Sequence, residues 1–131
     1  MALYLGSEKM AGNIIPETSS NQPKVLFNSE NGAQGDIGFN DNVFNYDYID
    51  IFYNHMTTRW YVNTHDKSIQ MFNFGHDGNV MIWCAKHYYI SDDGTGMVKS
   101  HVGRTYSYSG GGTTNDTLDT FGIYKVIGYK F

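Results

Sequence analysis

From Pro23 to the last residue, short apolar and aromatic runs alternate with clusters of Gly, Asn and Asp, and this punctuation leaves no room for long helices. The runs read as eight strands. Lys24 to Asn28 is the first, and Asn31-Gly32-Ala33-Gln34-Gly35 turns the chain into Asp36 to Phe39. Tyr48 to His55 follows the Asn40-Asp41-Asn42 turn, and there Ile49, Ile51 and Tyr53 share one face while Tyr48, Asp50 and Phe52 share the other. Thr58 to Thr64 and Lys67 to Phe74 read as a hairpin around His65-Asp66. Asn79 to Ser91 is apolar without alternation over Val80 to Ala85, the pattern of a central strand covered on both faces or carrying a bulge. Met97 to Ser109 alternates loosely, Gly110 to Asp116 reads as a flexible loop, and Phe121 to Phe131 is the last strand. With no heptad, helical face or fixed repeat, the expected fold is all-β: an antiparallel β-sandwich, jelly-roll-like, over residues 23 to 131. Ile49, Ile51, Ile82, Phe121 and Val126 are its expected core.

Residues 1 to 22 differ from this pattern. After Leu3-Tyr4-Leu5 they run through Gly12, Asn13, Pro16 and the polar stretch Glu17 to Gln22, too little apolar area to offset an ordering cost. They read as an arm or anchor segment.

Composition excludes several functions. The net charge of −4 supplies no basic patch for a phosphate backbone, so nucleic acid is not an expected partner. The start of the chain lacks the basic region and apolar stretch of a signal peptide, and no run reaches the length of a membrane helix. The single Cys84 lies in an apolar run and reads as a small buried hydrophobe; it permits no disulfide within the chain, which fits folding in a reducing cytoplasm.

Catalytic chemistry has little to stand on. The histidines (His55, His65, His76, His87 and His101) show no local zinc-ligand spacing, so no metal and no cofactor are expected. Asp92-Asp93-Gly94-Thr95-Gly96 and Asn115-Asp116 with Asp119 offer oxygen atoms of the kind calcium accepts, yet their spacing is not that of an EF-hand and their composition is that of tight turns. A carboxylate pair for glycoside cleavage drawn from Asp47, Asp50, Asp92 and Asp93 is defined by a separation the sequence does not contain. Ser109 to Thr113 is Gly-rich but lacks the lysine of a phosphate loop. The expectation is a protein that is not an enzyme.

Aromatic residues are the positive signal, at 16% of the chain. Neighbouring strand residues face opposite ways, so one of Trp60-Tyr61 and one of Tyr88-Tyr89 should point outward. Together with Tyr106 and Tyr108 these are the candidate ligand-binding residues, since an outward ring can stack on a sugar or be buried against another subunit.

Two sets of motifs resemble a known class. Leu3-Tyr4-Leu5-Gly6-Ser7-Glu8-Lys9-Met10-Ala11 is similar to the YLGS-x-KVA start of tail-associated and baseplate proteins of phages and prophages of Gram-positive bacteria, with Met10 in place of the usual valine. Val25-Leu26-Phe27-Asn28, Asn45-Tyr46-Asp47-Tyr48-Ile49-Asp50-Ile51 and the terminal Lys125-Val126-Ile127-Gly128-Tyr129-Lys130 resemble segments of short phage tail or minor structural proteins, down to the closing KVIGYK. The resemblance implies a virion tail component, a tail-fibre or baseplate module that is often homotrimeric. Such a module is made in the host bacterial cytoplasm, attaches to other tail proteins through its N-terminal arm, and exposes a β-rich domain to a host surface saccharide. It carries no catalytic residue to transfer. Two alternatives stand beside it: a free-standing carbohydrate-binding module, which needs no N-terminal anchor, and a small cell-envelope glycoside hydrolase.

Overall fold

The computed structural model describes residues 22–131 apart from His55, Thr64, Thr120 and Phe121 and the side chain of Asp77. All of the expected arm, residues 1–22, except Gln22, and the expected core residue Phe121 lie outside the described residues. The fold is an all-β sandwich of two antiparallel sheets.

The four-stranded sheet has the order β1-β9-β3-β4, from Lys24–Ala33, Ile123–Tyr129, Tyr48–Tyr53 and Met56–Tyr61. The five-stranded sheet has the order β2-β7-β6-β5, from Ile37–Gly38, Gly96–Tyr108, Val80–Ile90 and Ser68–Asp77, and β8 (Thr113–Asp116) pairs with the far end of β7. The outer pairings are nested as in a jelly roll, β1 with β9 and β2 with β7. The middle of the chain instead folds locally, as the β3–β4 hairpin and the β5-β6-β7 meander.

Period-2 patterning builds the core. Ile49, Ile51 and Tyr53 of β3 point inward with Trp60, Val126, Ile123 and Leu26, and meet Ile69, Met71, Cys84, Tyr88, Ile90 and Met97 from the other sheet. The expected core positions Ile49, Ile51 and Val126 are fully buried. Ile82 is not: along β6 the inward residues Cys84, Lys86, Tyr88 and Ile90 are buried, but Val80 and Ile82 only partly. In the larger sheet β5, β6 and β7 have 10 to 13 residues, and β3 and β4 of the facing sheet have six, so one end of the larger sheet outruns its cover.

Three other expectations are corrected. The strand read as Tyr48 to His55 ends at Tyr53, because Asn54 adopts a left-handed φ of 47° and reverses the chain into β4. No hairpin forms around His65-Asp66, since β4 pairs with β3 and β5 with β6 in the other sheet. There the carboxamide of Asn63 accepts from the His65 amide and the carboxylate of Asp66 from the Ser68 amide, two side-chain turns that carry the chain between sheets. Within the Gly110 to Asp116 loop, Thr113–Asp116 is a strand, tied to β7 by the two-pronged contact of Arg104 with Asp116 at 2.9 and 2.7 Å.

Candidate functional sites on the two outer faces

The apolar run of β6 turns out to be covered on one side only. Its inward residues meet the core, and its outward residues, Met81, Trp83, Ala85, His87 and Tyr89, lie on the open face of the five-stranded sheet. Phe72 and Phe74 of β5 share that face, 47% and 54% exposed, with Met81, Tyr89 and Val98 similarly open.

Cross-strand rows shape this surface. Phe74, Trp83 and Thr105 are register partners in one row, and Gln70, His87 and His101 in another four residues along. Between them runs Phe72, Ala85 and Gly103, where two of the three residues have almost no side chain. A Cβ added at Gly103 would meet nothing within 4 Å. The result is a trough of about 510 Å3, lined by Gln70, Phe72, Ala85, His87, His101 and Gly103 with the flanking Lys86 and Val102.

A bulge sets the histidines at its wall. Pairing moves from His87 with His101 to Tyr88 with Lys99, which leaves Ser100 as the extra residue of β7. The Ser100 hydroxyl lies within hydrogen-bond distance of Nδ1 of both His87 and His101, at 3.2 Å from the second. Tyr89 meets His87 edge-on, with ring centres 4.5 Å apart.

On the opposite side of the molecule, the outer face of the four-stranded sheet carries a second aromatic cluster. Tyr48 stacks on Tyr129 with ring centres 4.9 Å apart, and Tyr61 and Phe131 lean against Tyr48 at 5.6 Å each. The Arg59 guanidinium lies 4.2 Å from the Tyr48 ring centre and donates to both oxygens of the buried Asp50, at 2.8 and 3.0 Å. Bonding to Asp50 first, then to Tyr61, holds Arg59 charged well above its ordinary range. The cluster is an aromatic platform that includes the Arg59–Asp50 ion pair.

No family model, no curated protein and no solved structure matches this chain.

Of the six aromatic residues singled out from sequence, Tyr61 and Tyr89 point outward, onto the platform and beside the trough respectively. Trp60 and Tyr88 are buried and are not surface contacts. Tyr88 is a core residue whose hydroxyl donates to the Gly35 carbonyl at 2.9 Å, and its phenol is shifted upward by burial. Tyr106 is half-buried under Arg104, and Tyr108 is exposed beside Thr114. The structure thus splits the set among the core, two faces and a sheet end. Sequence reading missed Phe72 and Phe74, and set His87 and His101 aside because they show no local ligand spacing. A usable signal was present: Gln70, Phe72, Phe74 and His76 share one parity in β5, so phenylalanines in step with polar residues mark an outward face.

The Asp92 to Gly96 segment is a turn. One carboxylate oxygen of Asp93 accepts from the Thr95 amide at 3.1 Å and from the hydroxyls of Ser91 and Thr95 at 2.8 and 2.7 Å. Among the described residues, no group of three or more His, Cys, Asp or Glu is placed to hold a metal ion.

Proposed function

We propose that this chain is a non-catalytic component of a phage tail that assembles as a homotrimer through the open face of its five-stranded sheet. The observation that carries the reading is the apolar character of that face, with Phe72, Phe74, Met81, Tyr89 and Val98 all exposed together. Soluble monomers rarely leave such a patch uncovered. Three strands about 4.8 Å apart and at least ten residues long present roughly 500 Å2, more than half of the roughly 800 Å2 that each partner contributes to a standard interface. The occupant is a second copy of the same chain, because the motif resemblance is to proteins that are often trimeric, and closed symmetry ends the association. Light scattering at micromolar concentration should give three times 14.8 kDa for the chain and one times for Phe72→Ser/Phe74→Ser. A monomeric parent chain would overturn the reading.

The smaller platform around Tyr61 is suited to a different task. Exposed rings tilted against a Tyr48–Tyr129 stack, beside an arginine fixed by Asp50, put apolar ring surface next to hydrogen-bonding groups, the chemistry that receives a saccharide ring. In a glycan screen Tyr61→Ala should lose the signal of the parent chain by tenfold or more, and retained binding would move the ligand elsewhere.

A further inference from the structure

We infer that His87 and His101 make the assembly of this chain pH-sensitive, so that copies associate while both imidazoles are neutral and separate in mild acid when they take up protons. The inference rests on the reading that copies meet through the open face of the five-stranded sheet, and it names what regulates that contact.

Two observations carry it. Both rings line the trough of a face on which Phe72, Tyr89 and Val98 are exposed, so a copy seated there takes them out of water together with apolar surface. The two are also register partners with ring centres 6.3 Å apart, and the Ser100 hydroxyl lies within hydrogen-bond distance of Nδ1 of each. Protonation of both sets two like charges side by side. A neutral imidazole is buried at far lower cost than a charged one without a partner.

The surrounding elements offer these charges little compensation. From β5 the register partner of His87 is the neutral Gln70, and His76, on the same face, stands apart opposite Met81. Ahead of β5, Asp66 lies close enough to His87 for the two to attract, but its Oδ1 already accepts from the Ser68 amide and hydroxyl. On β6 the neighbour is Tyr89, edge-on at 4.5 Å, while Lys86 points into the core. On the far side of the sheet Asp119 holds Lys86 and Lys99, and Asp36 accepts from the Lys99 amide.

The direction follows from linkage. Imidazole is the side chain whose charge ordinarily changes between about pH 5 and 8. The covered face disfavours the proton, so the separated chain binds more of it. Association is therefore intact above that range and lost as pH falls through it, by up to about tenfold per pH unit for each proton that only the separated chain binds.

The test is light scattering of the full chain between pH 7.5 and pH 5.0, with circular dichroism at each pH to separate dissociation from unfolding. The parent should give three times 14.8 kDa at pH 7.5 and one times at pH 5.0, and so should His65→Gln, whose side chain lies in the turn before β5. His87→Gln/His101→Gln should stay trimeric throughout, and each single variant should dissociate at a lower pH than the parent. A parent still trimeric at pH 5.0, or variants that dissociate at the parent's pH, would overturn the switch and leave the assembly standing. A parent already monomeric at pH 7.5 would overturn the assembly itself, and the switch with it.

Discussion

Lys86 is the residue whose setting departs furthest from its type. Its side chain is fully buried on the inward face of β6, and its Nζ lies 2.7 Å from Oδ1 of Asp119, whose other oxygen meets Nζ of Lys99 at 3.0 Å. Burial pushes the Lys86 ammonium below its ordinary range while Asp119 acts in the opposite direction. Breaking a buried pair by removing one partner leaves a charge with nowhere to go, at a cost of about 3–5 kcal/mol. Asp119→Ala should therefore lower the unfolding free energy in urea by about that amount. A loss under about 1 kcal/mol, the worth of a surface pair, would show that Lys86 reaches water. Lys99 is partly exposed and adds less.

At the scale of elements, the β6–β7 connection shows how turn chemistry places a functional strand. Gly94 adopts a φ of +73°, and a Cβ there would collide with Asn42 and Phe44, so glycine is required both for the conformation and for the close approach. Asp93 closes the same turn, and its carboxyl is held below the usual range, first by the Thr95 hydroxyl, then by the Thr95 amide and the Ser91 hydroxyl. A carboxylate with a lowered folded pKa contributes stability that is fully present above the unfolded value of 3.8 and is lost as pH falls through the lower, folded value. The melting temperature of the parent chain should thus fall more steeply below pH 4 than that of Asp93→Asn, while the variant melts lower at pH 7. Parallel curves for the two proteins would remove Asp93 from the acid response.

The whole molecule is a sandwich with two unlike outer surfaces. A broad apolar face with a trough lies on one side, and a compact tyrosine platform on the other. If copies of the chain cover the first, association is linked to folding, and the melting temperature must rise with protein concentration. A tenfold dilution should lower it measurably for the parent chain and leave Phe72→Ser/Phe74→Ser unmoved. Concentration-independent melting of the parent would argue for an unassociated domain.

Local patterning was enough to read the strand-forming runs, the inward parity of Ile49, Ile51 and Val126, and the outward turn of one residue in each aromatic pair, because side-chain alternation is a property of the strand itself. The same logic placed Asp92 to Gly96 in a turn. Pairing was beyond it: β4 and β5 adjoin in the chain but belong to different sheets, and whether β6 is covered on one face or two depends on how far the opposite sheet extends. For that reason Ile82 read as core and lies where the cover ends, while the buried Lys86 escaped notice. Only the register of β6 on β7, shifted by one bulged serine, brings His87 and His101 together, because a contact between strands is set by hydrogen-bond pairing across space and not by distance along the chain.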